Sequence, residues 1–245
     1  MSGGWERIEI GGKPADVYEP EAHRPSFGVL FLHSLREETL AGNAVYTALF
    51  DELRLACVCP HAPRTWWTDR VLPSFDPTVT AERHLLDAVL PYFAARWGVA
   101  PPAVGLLGVS AGGQGALRLA FRHPRTFPIV AAVAPLLDHH DWYGSGTSLD
   151  ELYDSKEQCR QDSALLHIHP SHFPPHLFFC VDPADALWFR GNDRLHDKLA
   201  ALGVPHECDL TTSGGGHTWD YFNRMADRAV RFVEGGLREM SRRLL

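Results

Sequence analysis

The chain has 245 residues, 45 % hydrophobic and 22 % charged, which suits a globular enzyme able to bury a core without metals or disulfides. Its formal charge of −7, with basic residues scattered apart from Arg238, Arg242 and Arg243, excludes the clustered Lys and Arg that nucleic acid demands. No apolar stretch approaches the ~18 residues of a membrane span.

Two further features bear on setting. The segment Met1–Arg7 lacks a basic region followed by an apolar one, so no signal peptide is expected. Cys57, Cys59, Cys159, Cys180 and Cys208 are odd in number and contain no C-x-x-C pair. That usage suits a reducing, cytoplasmic compartment better than a disulfide framework.

In chain order, residues 5–10 and 14–18 alternate around Gly11-Gly12 and predict an antiparallel hairpin. Phe27–Leu32 is a continuous apolar run, the pattern of a strand buried on both faces. Helical spacing follows over 42–54, then a buried strand over 55–59 stopped by Pro60. Residues 60–78 form a loop rich in Pro, Trp and Arg. Residues 79–97 predict a helix with Thr80 as N-cap and a kink at Pro91.

The centre of the chain carries the most informative pattern. A strand over 103–107 runs into Gly108-Val109-Ser110-Ala111-Gly112, and a helix-like run continues over 113–121. Strand, G-x-S-x-G, helix is the layout of a nucleophile elbow. The flanking glycines remove Cβ atoms that would block close strand–helix packing, and the helix start aims its amides where an oxyanion would form.

Beyond it, 127–133 predicts a buried strand ended by Pro135. Residues 136–172, rich in His, Asp, Tyr, Gly and Ser, read as an insertion over the sheet with helical pieces near 148–154 and 156–164. A strand over 176–181, a helix over 192–202, a strand over 206–211 and an amphipathic helix over 219–243 complete the chain. A hairpin followed by about five β-α units predicts one α/β domain over 1–245, a mainly parallel sheet with helices on both faces.

A serine hydroxyl needs a base, and the base an orienting carboxylate. In an elbow-type sheet these partners follow in the order Ser, Asp or Glu, His. Gly214-Gly215-Gly216-His217 follows the last strand and leaves its imidazole projecting, which nominates His217 as base. After the strand at 176–181 stand Asp182 and Asp185. Asp185 is the preferred acid, because Asp182 precedes Pro183 and suits a turn cap. Asp209 and Asp193 are the remaining carboxylates to consider. The second oxyanion donor belongs in His33-Ser34-Leu35, with Ser34 and Leu35 both open, beside the Ala111 amide.

Leu32-His33-Ser34-Leu35, Gly108–Ala116, Asp185 and Gly215-Gly216-His217-Thr218-Trp219 together resemble the α/β-hydrolase superfamily. Within it they are most similar to the putative-esterase or esterase D group, which includes S-formylglutathione hydrolases, feruloyl and acetyl-xylan esterases and mycolyltransferases. The resemblance implies Ser110 as nucleophile, Asp185 as orienter, His217 as base, and the Ala111 and Leu35 amides as oxyanion hole. It also implies a small-molecule ester substrate and no cofactor. His33-Ser34 departs from the His-Gly or Ser-Gly of many relatives.

Trp66 and Trp67 lie in the loop after the strand at 55–59, where stacking on a substrate and packing of the loop are equal alternatives. Trp142, in His139–Tyr143, is a candidate for the acyl pocket, and Ser34 for substrate contact. Trp219–Phe222 reads as packing of the last helix. No metal is expected: His139, His140 and Asp141, or His167, His169, His172 and His176, match no firm zinc spacing. The expected activity is ester hydrolysis through an acyl-enzyme. Acyl transfer by the same residues and a non-catalytic binding protein are the alternatives, and homo-oligomerisation is open.

Overall fold

The computed structural model describes residues 3–21 and 24–243; Met1 and Ser2, the start of the segment read above for a leader, lie outside them. Eight strands form one sheet in the order β1-β2-β4-β3-β5-β6-β7-β8. β1 (Gly4–Ile10) and β2 (Lys13–Glu19) are the antiparallel edge hairpin, and β2 also runs antiparallel to β4 (Leu55–Pro60). β3 (Phe27–Leu32), β5 (Val104–Val109), β6 (Ile129–Val133), β7 (His176–Cys180) and β8 (Glu207–Asp209) continue the sheet in parallel.

The apolar runs are continuous because both faces are covered. Side chains alternate across a strand, and here each set finds its own core. Val29, Phe31, Leu107 and Val109 pack with Tyr46 and Phe50 of α1 (Ala44–Leu53) and Tyr221, Ala229 and Val233 of α8 (Trp219–Arg243). Leu30, Leu32, Val104 and Leu106 pack on the opposite face. Their partners there are Leu85, Phe93 of α3 (Leu90–Trp97), Leu117 of α4 (Ala111–Arg122), and Leu195 and Leu199 of α7 (Phe189–Ala201).

The helix expected over 79–97 is interrupted. α2 (Ala81–His84), N-capped by the Thr80 hydroxyl on the Arg83 amide at 3.1 Å, passes into a π turn over Leu85–Val89 before α3. Pro91 has no amide and its ring would strike the Asp87 carbonyl of a regular helix. The chain answers with a wider turn, closed from the Leu90 amide to the Leu85 carbonyl. At β8 the expected strand over 206–211 shortens to three residues. The Asp209 carboxylate accepts from the Thr211 and Thr212 amides at 3.0 and 2.9 Å and folds the chain away.

β3 sits between β4 and β5, so the strand order reverses there. That is where an open α/β sheet leaves a crevice at its carboxyl edge. Leu32 pairs with Gly108, so the loops leaving β3 and β5 emerge side by side.

Candidate active site

Ser110 joins β5 directly to α4 with φ 58° and ψ −122°, a conformation costly for a residue bearing Cβ, of order 1–3 kcal/mol. The surroundings hold it there. Its amide donates to the Val133 carbonyl at 2.9 Å, and its carbonyl accepts from Leu136 and Gln114 at 3.2 Å each. A Cβ on Gly108 would lie 2.2 Å from the Gly112 carbonyl oxygen, and one on Gly112 would lie 1.9 Å from that of Leu32. Strand, turn and helix therefore meet only because both positions are glycine.

Long-range partners converge on this hydroxyl. His217 Nε2 lies 2.8 Å from Ser110 Oγ, and His217 Nδ1 lies 2.6 Å from Asp185 Oδ2. A carboxylate only accepts, so Nδ1 carries the proton and Nε2 accepts from the serine O–H. Asp185 is buried, while the imidazole is partly exposed. Asp209 and Asp193 are not in this line: Asp209 turns toward Thr211, Thr212 and Arg228, the last at 2.7 Å.

Asp182 has a different task. Its carboxylate accepts from the amides of Ala184 at 2.8 Å, Gly214 at 2.6 Å and Gly216 at 2.8 Å, and from the Ser213 hydroxyl at 3.1 Å. Burial opposes its charge, but these four donors outweigh burial and hold the carboxyl below its ordinary range. Asp182 thus caps its own turn and also braces the glycine loop that presents His217.

On the other side of Ser110, the loop 33–35 is fixed by a buried histidine. His33 Nε2 accepts from the Ala62 amide at 3.1 Å, so Nδ1 carries the proton and donates to the Ser34 carbonyl at 2.7 Å. Burial pushes this imidazole down to about 4 and keeps it neutral. Ser34 closes the turn beyond, its hydroxyl accepting from the Arg36 amide at 3.1 Å and its carbonyl from Glu37 at 3.0 Å. The Leu35 amide is not used in that turn. The Ala111 amide, first in α4, has no intrahelical acceptor.

A cavity of about 260 Å³ opens over Ser110 and His217. Leu35, Leu136, Trp142, Leu187, Trp188, Trp219 and Phe222 give it apolar walls, with Ser34, Arg36 and Glu38 on the side of the 33–35 loop. The structure therefore brings together Ser110, Asp185, His217, Ser34, Leu35 and Trp142. Trp66 and Trp67 stand apart from this lining, at 2 % and 1 % exposure. Trp67 donates its indole N–H to the His33 carbonyl at 3.0 Å, and Trp66 donates to Ser148 Oγ at 3.2 Å and stands edge-on to Trp142. Of the two alternatives, the geometry favours packing for both. Trp188, Trp219 and Phe222 also line the pocket, which their positions within five residues of Asp185 or His217 signal.

Beneath the elbow, α4 is tethered by an ionic group invisible to local pattern. Arg118, buried, bonds Glu82 of α2 and, at 2.7 Å, Asp162. Tyr153 donates to the other oxygen of Asp162 at 2.8 Å. Burial works against both carboxylates, but His123, Arg118 and Arg122 at Glu82, and His167, Arg118 and Tyr153 at Asp162, hold both well below the usual range.

The sheet order, elbow and loops define an α/β-hydrolase fold. The chain belongs to the esterase family described as "Putative esterase", carboxylic ester hydrolases, whose pattern matches residues 67–232 of the 245. Among solved structures, it resembles the fluorophosphonate-binding serine hydrolase FphF of Staphylococcus aureus at 17 % identity and TM-score 0.75, covering 96 % of this chain and 99 % of that one. A ferulic acid esterase superposes at 16 % identity and TM-score 0.77, over 96 % and 100 % of the two chains. An S-formylglutathione hydrolase from Agrobacterium tumefaciens superposes at 17 % and 0.76, over 96 % and 94 %. At these identities the likeness speaks to fold alone. No curated protein matches the chain. Among the described residues no helix is long and apolar enough to cross a membrane.

Proposed function

We propose that this protein hydrolyses small carboxylic esters through an acyl-enzyme on Ser110. The observation that carries the reading is the hydrogen-bonded line from Ser110 Oγ through His217, at 2.8 Å, to Asp185, at 2.6 Å. His217 takes the serine proton as Oγ attacks the ester carbonyl. The oxyanion is met by the amides of Ala111 and Leu35, at the positive end of α4. His217 then protonates the leaving alcohol, and Asp185 holds the imidazole tautomer and stabilises the imidazolium. Water, activated by the same imidazole, releases the acid and restores Ser110.

In this reading residues 136–172 of the single domain wall the pocket through Leu136 and Trp142. A volume of about 260 Å³ with aromatic walls favours a compact apolar acyl group. Initial rates on p-nitrophenyl acetate, butyrate and octanoate, wild type beside Ser110→Ala, test both points. Activity confined to the wild type and falling from butyrate to octanoate is expected. Equal rates in the two proteins would remove Ser110 from the chemistry, and a preference for octanoate would refute the compact pocket.

A further inference from the structure

A second cluster of chemically competent side chains stands away from the pocket. His196 on α7, His206 in the turn after it, and Cys208 on β8 place one potential ligand atom each within 4.8 Å of the others. His196 Nδ1 is 2.9 Å from His206 Nε2 and 3.4 Å from Cys208 Sγ. All three are partly buried rather than sealed in the core. None takes part in the ester chemistry described above.

We propose that His196, His206 and Cys208 form a binding site for a borderline-soft divalent ion of the Zn²⁺ type, with a fourth position left to solvent. Bonds of about 2.0–2.1 Å to nitrogen and about 2.3 Å to sulfur in a tetrahedral site set N–N near 3.3 Å and N–S near 3.6 Å. The two spacings from His196 Nδ1, 2.9 Å to nitrogen and 3.4 Å to sulfur, fall within about half an ångström of those figures, and His206 Nε2 lies within 4.8 Å of Cys208 Sγ, so a modest adjustment of the side chains admits the ion. Two imidazoles and a thiolate select zinc-like ions over magnesium or calcium, which require oxygen.

The support behind the ligands is already in place. His206 Nδ1 donates to the Val204 carbonyl at 2.9 Å, which leaves Nε2 as a lone pair facing the cluster. Its ring stacks on Phe179 at 5.9 Å and 18°, fixing the plane. A backbone carbonyl on the far nitrogen of a ligating histidine is how protein metal sites orient the ring. Cys208 pairs with Phe179 in the sheet and packs against the same core as Leu195 and Leu199, so its thiol points toward α7.

Proton balance follows from the same contacts. Without metal, His196 Nδ1–H donates to His206 Nε2, and a free thiol such as that of Cys208 carries its proton near neutral pH. On binding, the thiol loses its proton to solvent, and His196 moves its own from Nδ1 to Nε2. One proton is released per ion. The ion would join α7, which follows the Asp185 turn, to β8, which leads into the His217 loop.

The test is metal content and spectroscopy on the full-length protein. After equilibration with Zn²⁺ and dialysis, the wild type is expected to keep one equivalent. Cys208→Ser and His206→Ala should each bind at least tenfold more weakly while retaining wild-type p-nitrophenyl acetate turnover, which shows that they fold. Co²⁺ in place of Zn²⁺ should give a thiolate-to-cobalt charge-transfer band that disappears in Cys208→Ser. No retained metal in the wild type, or equal retention in wild type and both variants, overturns the proposal. Because the site shares no residue with the ester chemistry, a catalytically silent protein that still loads the ion would count against the proposed function alone.

Discussion

The carboxylate of Asp182 lies 2.8 Å from the amide of Gly216, the residue before His217. Three residues on, Asp185 lies 2.6 Å from the imidazole itself. Two acids from one turn thus divide the work: one shapes the loop and the other contacts the imidazole. Asp185→Ala should lower kcat by roughly 10³–10⁴-fold and leave the melting temperature close to wild type. Asp182→Ala strands the half-buried loop amides of Gly214 and Gly216 and should cost about 1–2 kcal/mol of stability together with activity. Thermal melts and kcat for the pair separate the roles; a fully stable Asp182→Ala protein would refute the bracing role.

Strain at Ser110 gives a second expectation. Its positive φ of 58° suits glycine. Ser110→Gly should therefore be more stable than Ser110→Ala by about 1 kcal/mol, although glycine ordinarily costs about that much relative to alanine. Both variants lack the hydroxyl, so denaturant midpoints compare the backbone alone. A more stable Ala variant would show that the turn relaxes freely.

Much of this architecture is written locally. Apolar runs of five or six residues locate the buried strands, Thr80 marks a helix start by capping, and G-x-S-x-G predicts the turn at Ser110. What is not legible depends on residues far apart in the chain. Arg118 lies 36 residues from Glu82 and 44 from Asp162, and no period links them. Asp182 reads as a turn cap because its bond to Ala184 is local, whereas its bonds to Gly214 and Gly216 are not. The helix α7 begins at Phe189 rather than at 192 because the Phe189 amide bonds the Asp185 carbonyl, carrying the acid turn straight into the helix. For Trp66 and Trp67 the sequence allows two fates, and only the neighbouring Ser148, His33 and Trp142 favour one.

The buried ion group beneath α4 should behave unlike surface pairs. Arg118→Leu leaves Glu82 and Asp162 without their shared cation and should destabilise by about 3–5 kcal/mol. Arg231→Ala, which removes an exposed bond to Glu52, should shift the midpoint barely at all. Urea unfolding of the two variants side by side checks the contrast; equal small effects would mean that the group is solvated.

Acid sensitivity follows from three histidines. Burial pushes His33, His84 and His139 down to about 4. The unfolded chain takes up these protons near the ordinary value of about 6.5, while the folded protein refuses them until about 4. Stability present above that upper value is therefore lost as pH falls through the window. Each group contributes a slope of about 1.4 kcal/mol per pH unit. His139→Phe keeps an aromatic ring against Trp66 and should flatten the stability curve between pH 4.5 and 6 by about that amount. An unchanged slope would show that His139 is protonated in the native state.

The role of Ser110 as nucleophile is tested most directly by covalent labelling. Wild-type protein is incubated with a fluorophosphonate probe, residual p-nitrophenyl acetate turnover is followed, and the labelled peptide is mapped by mass spectrometry. Stoichiometric modification of Ser110, loss of activity in step with labelling, and no modification of Ser110→Ala are expected. Full turnover in a protein that never labels at Ser110, or loss of activity through labelling elsewhere, would contradict that role.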